Sequence, residues 1–348
     1  MLGNVDPPTF SFVLPVHNEA ESLEELQRRL GAVIDEIREP CEVILVDDGS
    51  FDESLRVMRE IRSQDKRFKL LSLSRNFGHQ AAITAGLDLA GGEAVVVMDS
   101  DLQHPPEVVP QMISRWRDGF EVVNAERVDR SGESAFKRLS ARGYYWLLCR
   151  VSQTEMSPNV GDFRLIDRKA LNAFRSMRES SRYLRGMFSW IGFNQTSVPY
   201  DYHDRHAGKP KYNFRRMLGL GVNGIVSFSH VPLEIALHIG FFVATLSFLA
   251  GVGDLIAKLT VADTVPGWLS IAIMVSFLGG MQLLILGVIG IYMGRVYDEV
   301  KNRPLYVVSH IEGLDVTGLD LGLANVPRRG HEVPAPIPRD SARHHLSD

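Results

Sequence analysis

The chain has 348 residues and only two cysteines, Cys41 and Cys149. Neither stands in a Cys-x-x-Cys or Cys/His spacing, which excludes a disulfide scaffold and a cysteine-built zinc site and suits a reducing cytosol. Basic charge is not in excess either: the formal net charge is −4, so the global signature of a nucleic-acid binder is missing. Residues 1–8 hold no basic stretch and no apolar run, so no signal peptide is expected there. No repeat of fixed period occurs.

What is there is unevenly distributed. Residues 1–230 carry charges regularly, 233–294 are almost free of them, and the chain turns polar after Pro304 to end Pro-rich. This predicts a catalytic domain over 1–212 and an amphipathic juxtamembrane helix over 213–232. It predicts transmembrane helices over 233–258 and 266–294, a cytoplasmic segment over 295–314 and a disordered tail over 315–348.

In the first part, apolar strands alternate with amphipathic helices. Strands are expected over 10–16, 43–46, 69–73 and 94–98, with helices between them and a further strand over 121–126. Ser50 with Glu53 reads as a capping box opening the second helix. Short links between such elements imply an α/β fold with a doubly wound, mostly parallel sheet. Three strands run into polar clusters: Asn18/Glu19, Asp47/Asp48 and Asp99/Asp101. In an open α/β sheet those ends share one edge, where ligands bind. No Gly-x-Gly-x-x-Gly follows any of these strands, so phosphates have no glycine cradle there. Asp99 and Asp101 repel unless a positive charge lies between them, and a hard divalent cation with oxygen ligands answers that. Taken alone, Asp-x-Asp also reads as a solvated acidic turn.

Leu14-Pro-Val-His-Asn-Glu19, Val46-Asp-Asp-Gly-Ser50 and Asp99-Ser-Asp-Leu-Gln-His-Pro-Pro106, in this order and spacing, resemble the GT-A glycosyltransferases of family 2. Within that family the likeness is to polyprenyl-phosphate sugar transferases. It implies that Pro15, Asn18, Glu19, Asp47, Asp48 and Gln80 surround a nucleotide sugar, together with Asp99. Asp99, Asp101 and Gln103 would hold Mg²⁺ or Mn²⁺ against the diphosphate. By the same likeness Arg127, Lys137, Arg138 and Ser140 belong to the phosphate set. Gly161-Asp-Phe-Arg-Leu-Ile-Asp-Arg168 matches a family segment that turns Asp162 to the acceptor, with an orienting role; Arg164 and Asp167 read as a local structural pair. Arg205, Lys209 and Lys211, in the Pro/Gly-rich loop before the membrane part, would grip a lipid phosphate. Structural readings stand beside these: Asp47 as a turn former, Asn18 and Ser50 as helix caps, the cations as solvated groups or contacts to anionic lipid heads.

Cations flank the apolar part at Arg215, Arg216, Arg295, Lys301 and Arg303, while its connector holds Lys258 alone. That places the catalytic domain on the cytoplasmic side of a cell membrane, with the two spans as a hairpin. Gly279, Gly280, Gly287, Gly290 and Gly294 favour close helix packing and an oligomer. The expected activity is an inverting, metal-dependent transfer of a sugar from a UDP-sugar or GDP-mannose to a polyprenyl phosphate, serving cell-envelope glycan or glycolipid modification. The alternatives are a processive polysaccharide synthase, for which Gln111 to Trp116 has one residue too many between Gln and Arg, and a non-catalytic nucleotide-sugar-binding membrane scaffold.

Overall fold

The computed structural model describes residues 7–128, 160–180, 182–200 and 267–314, with scattered helical positions between 233 and 249. Its centre is strand β1 (Phe10–Val16), every residue of which is buried. Burial on both faces is what a central parallel strand requires, and its run of apolar residues supplies it. Helix α1 (Ala20–Ile37) follows, then β2 (Cys41–Asp47), α2 (Ser54–Gln64), β3 (Phe68–Leu73), α3 (His79–Leu89) and β4 (Ala94–Val97). A 3₁₀ turn (Pro106–Val108) leads into α4 (Val109–Arg117) and β5 (Val122–Arg127). Strands β6 (Val160–Asp167) and β7 (Gln195–Tyr200) enclose α5 (Arg168–Ser176) and α6 (Leu184–Trp190). Helix α7 (Trp268–Val300) and strand β8 (Val308–Glu312) come last.

The strands make one sheet in the order β7-β5-β6-β4-β1-β2-β3-β8. Strand β6 is antiparallel to both its neighbours and β8 is antiparallel to β3, so the sheet is doubly wound and mostly parallel, as expected. Leu23, Leu26 and Leu30 of α1, Met58 of α2 and Met112 of α4 cover one face together with Phe10, Phe12 and Leu14. Ala82, Ile83 and Ala85 of α3, Phe174 of α5 and Phe188 of α6 cover the other together with Val13 and Val46. Gly86 lets α3 lie on β1: a Cβ there would run into the Val13 side chain. Strand β8 covers the β3 edge, with the Ser309 hydroxyl donating to the Ser72 carbonyl at 3.0 Å and Arg59 pairing with Glu312 at 3.0 Å.

Two local expectations are corrected. Ser50 does not cap α2: its hydroxyl accepts the Asn18 N–H at 3.1 Å, and α2 starts at Ser54, whose N–H goes to Asp52. Arg164 and Asp167 do not pair. Three residues apart on a strand, they point to opposite faces. Arg164 donates to the Gly161 carbonyl and lies over the Phe188 ring, while Asp167 accepts from Trp116 Nε1 and caps α5. Among the described residues one helix is long and apolar enough to cross a membrane, within Phe277–Val300 at mean hydropathy 1.8. Most of the other expected span, the juxtamembrane helix and the tail lie outside the described residues.

Helix α7 is 33 residues long and so spans about 50 Å, more than the hydrocarbon core of a bilayer. It continues six residues past the expected end at Gly294. Met281, Ile285, Val288, Tyr292 and Arg295 are its less exposed residues, at a 4-3-4-3 spacing that defines one stripe. Gly240 comes close to this stripe, since a Cβ there would stand 3.2 Å from Ile285 Cδ1.

Candidate active site

A cavity of about 320 Å³ opens at the ends of β1, β2 and β4, lined among others by Pro15, Glu19, Asp48, His79, Asp99 and Asp101. Each wall residue is fixed by local backbone chemistry. Asn18 takes a left-handed conformation, φ 57°, which asparagine tolerates, and its side chain accepts the Phe51 N–H at 3.0 Å. Asp48 accepts the N–H groups of Phe77 and Gly78 at 2.7 and 3.0 Å, which draws the start of α3 to the end of β2. Gly49 makes this approach possible: at φ +66° a Cβ would stand 2.5 Å from the Arg75 carbonyl carbon.

The turn after β4 is held from three sides. The Ser100 hydroxyl donates to the Pro15 carbonyl at 2.8 Å, and Ser22 donates to the Ser100 carbonyl at 3.0 Å. Leu102 sits at φ 65°, a conformation that costs a branched residue about 1 kcal/mol and that its burial offsets. Asp101 Oδ1 accepts the Gln103 N–H at 3.1 Å. The His104 ring is buried, stacks on Phe163 at 5.0 Å, and takes the Asp99 N–H on Nδ1 at 3.0 Å. Its remaining proton is therefore on Nε2.

Asp162 reaches the site by register. Strand β6 runs antiparallel to β4 with Val97 opposite Arg164, so Asp162 and Asp99, each two residues beyond that pair, come to the same end of the two strands. Arg185 of α6 grips Asp162 at 3.1 Å, and His79 Nε2 lies 3.5 Å from a carboxylate oxygen of Asp162 and 3.5 Å from one of Asp99. Burial opposes the charge on Asp162, but His79, Arg185 and Arg164 outweigh it and hold its carboxyl well below the usual carboxylate range. Burial likewise opposes the charge on His79, and the Asp162 and Asp99 carboxylates overcome it and raise its pKa. Arg164, fully enclosed, is pushed down to about 10 by desolvation.

Of the donor residues expected from the sequence, Pro15, Glu19, Asp48 and Asp99 line the cavity. Asn18, Asp47 and Gln80 do not; they build its walls. Asp47 accepts the Ser50 N–H, with burial pushing its carboxyl up, and Gln80 Oε1 accepts the Leu184 N–H at 2.8 Å, tying α3 to α6. Gln103 meets Asp101 through its backbone N–H and does not line the cavity. Arg127 is half-buried at the end of β5, two strands from β4 and so roughly 10 Å to the side. Lys137, Arg138, Ser140, Arg205, Lys209 and Lys211 lie outside the described residues. His79, His104 and Arg185 were not expected. His104 stands inside the acidic motif and His79 opens the helix after β3, so position was their only signal; nothing in the letters marks Arg185. Gln111 to Trp116 belongs to α4, and Trp116 donates to Asp167, a structural contact.

The residues present fit a divalent cation. Asp99 Oδ1 is buried beside the cavity and accepts no hydrogen bond, its nearest opposite charge being His79 Nε2 at 3.5 Å. Among the described residues no cluster of three or more His, Cys, Asp or Glu ligands exists. A hard cation that keeps waters and takes phosphate oxygens needs only one or two carboxylates from the protein, which Asp99 and Asp101 supply.

A cavity at the strand ends is where an open α/β sheet binds its ligand. The model of the family described as "Glycosyl transferase family 2" matches residues 11–175. An uncharacterized glycosyltransferase of Bacillus subtilis, YkcC, is 44% identical over 306 residues, 88% of this chain and 95% of the relative. The bactoprenol glucosyl transferase of Shigella phage SfII is 38% identical over 299 residues, 86% of this chain and 97% of the relative. Mannosyl-3-phosphoglycerate synthase from Rubrobacter xylanophilus has a similar solved structure, with 17% identity, a TM-score of 0.46, and coverage of 63% of this chain and 73% of that one. The chain belongs to glycosyl transferase family 2. It is a glycosyltransferase.

Proposed function

We propose that the protein is an inverting, metal-dependent glycosyltransferase that moves a sugar from a UDP-sugar or GDP-mannose to a polyprenyl phosphate at the cytoplasmic face of a cell membrane. The observation that carries the reading is the meeting of Asp99, Asp101 and Asp162 at one sheet edge in a chain that also holds a membrane-length apolar helix. Relatives named bactoprenol glucosyl transferase support the lipid acceptor.

Pro15, Glu19 and Asp48 receive the nucleotide at the ends of β1 and β2, and Asn18, Asp47 and Gln80 keep that wall in shape. Asp99 and Asp101 would hold Mg²⁺ or Mn²⁺, and the ion would neutralise charge on the departing diphosphate. A phosphate oxygen of the lipid attacks the anomeric carbon from the face opposite the diphosphate. The carbon–oxygen bond to the diphosphate breaks and its electron pair stays on that oxygen. The attacking phosphate is already anionic at neutral pH, so no base is needed. This suits Asp162, whose depressed pKa makes it a poor proton acceptor and leaves it to orient the acceptor side. Arg127, Lys137, Arg138 and Ser140 complete the phosphate contacts, and Arg205, Lys209 and Lys211 receive the lipid phosphate.

Two spans anchor the domain in this reading, with α7 as the second. Gly280, Gly287 and Gly294 fall on the face of α7 opposite Ile285, and a Cβ on any of them meets nothing within 4 Å. A homo-oligomer through that face follows. Purified full-length protein with Mn²⁺, polyprenyl phosphate and a panel of nucleotide sugars tests the function. Release of nucleoside diphosphate with one sugar per lipid is expected from one donor. A growing polymer would assign the chain to the processive synthases, and no release from any donor would leave it a binding scaffold.

A further inference from the structure

Asp99 lies two residues past the end of β4, and Asp162 lies two residues beyond Arg164, the last β6 residue paired with β4, so both carboxylates stand at the same end of this strand pair. Like charges so placed are destabilising unless a cation joins them. His104 does not serve Asp99. Its Nδ1 is 3.5 Å from Asp99 Oδ2, but that nitrogen already accepts the Asp99 N–H, so lone pairs face each other there. What stands between the carboxylates is His79 Nε2, 3.5 Å from each. The side chain is held loosely: it is 43% exposed and its distance to Asp99 Oδ1 exceeds that of a good hydrogen bond. Asp162 keeps Arg185 at 3.1 Å whatever His79 does, whereas Asp99 Oδ1 has no hydrogen-bond partner of its own.

We propose that His79 is a positioning residue that fills in for the divalent cation beside Asp99. Its imidazole lies against Asp99 Oδ1 until the cation arrives, then gives up that oxygen and stays with Asp162. The inference rests on Asp99 and Asp101 being the cation site. It follows from electrostatics on one short axis. A doubly charged ion at Asp99 and Asp101 stands next to the imidazole and repels any positive charge it carries, and both compete for the same oxygen. His79 opens α3 beside Gly78 and its side chain is exposed at the cavity, so it turns without moving a packed residue; Ala82, which also lines the cavity, binds the helix to the sheet with Ile83 and Ala85. Donor loading is thereby linked to the acceptor side, because the group released from Asp99 remains beside Asp162.

The test is Mn²⁺ binding to the detergent-solubilised full-length protein, without any nucleotide sugar, read from the electron paramagnetic resonance signal of free Mn²⁺. His79→Ala and His79→Gln are each expected to bind Mn²⁺ about three- to tenfold more tightly than the unaltered chain. A gain in affinity is a result that damaged folding does not produce. Unchanged or weaker binding in both variants overturns the proposal, the weaker result marking His79 as a ligand or a support of the ligands. Asp101→Asn is the control for the cation site itself. If it binds Mn²⁺ as the unaltered chain does, the site assignment fails, whatever His79 does; if it loses Mn²⁺ while the His79 variants show no gain, only the role of His79 fails.

Discussion

Asp162 illustrates how much one side chain depends on its neighbours. Arg185, His79 and the enclosed Arg164 are arranged about a carboxylate that is almost fully buried. Removing it leaves Arg164 without its nearest opposite charge, in a place where an uncompensated charge is costly. Asp162→Ala should therefore destabilise the domain by about 3 kcal/mol, and Asp162→Asn, which keeps the shape but also removes the charge, should cost nearly as much. Thermal unfolding of the two variants checks this, and an Asp162→Asn variant that melts like the unaltered chain would contradict it. The residue scale is also where the sequence was most and least legible. Asp99, Asp101, Asp48, Pro15 and Glu19 could be placed because each lies within a few residues of a strand's end, and a strand end fixes where its residues go. Asn18 and Asp47 stand in the same motifs and Gln80 near the start of α3, but all three spend their side chains on backbone N–H groups, a choice that depends on partners more than thirty residues away for Asn18 and Gln80. Arg185 could not be placed at all, since only the fold of α6 onto β6 brings it to Asp162.

At the scale of elements, α3 is the part on which the site turns. Its first residue, His79, stands in the cavity, while Asp88 near its other end accepts from Tyr306 Oη at 2.7 Å and from Arg178 at 2.9 Å. Gly86 sits between, on β1. Gly86→Ala should push the helix off the strand at a cost of about 2 kcal/mol, and it should impair transfer more than its loss of stability alone explains. Melting and transfer assays on the same preparation separate the two effects. Tyr306 gives a second check. Burial, aided by the Asp88 carboxylate, raises its pKa above the ordinary value of 10.0. The folded state then holds the phenol proton where the unfolded chain releases it, so stability falls as pH rises through about 10 and beyond. In Tyr306→Phe that alkaline fall should be shallower, measured as Tm against pH. The alternation of strands and helices announced β1 to β5, but β6, β7 and β8 were not announced as strands. Strand β8 pairs with β3 from more than two hundred residues away, and no local pattern carries a pairing of that range.

For the whole molecule, the connection from α7 through Tyr306 to β8 fastens the apolar helix to the edge of the catalytic sheet. Glu299 at the end of α7 accepts the Ser180 N–H at 3.0 Å, a second tie between the two. The apolar run predicted a span but not this docking, because hydropathy reports length and composition and says nothing of what a helix end touches. If the glycine face of α7 joins copies of the chain, Gly287→Leu should shift the protein in detergent to a smaller species by light scattering while its transfer activity per chain is reduced less than tenfold. An unchanged mass would remove that face from the interface.

The central claim is that the acidic strand end of β4 is the cation site of a lipid-linked sugar transferase. Its most direct test is sugar transfer to polyprenyl phosphate by Asp101→Ala in the full-length protein, with membrane insertion and thermal unfolding followed alongside. Transfer should fall about a thousandfold or more while insertion and Tm stay near those of the unaltered chain. Transfer at a near-normal rate would contradict the assignment.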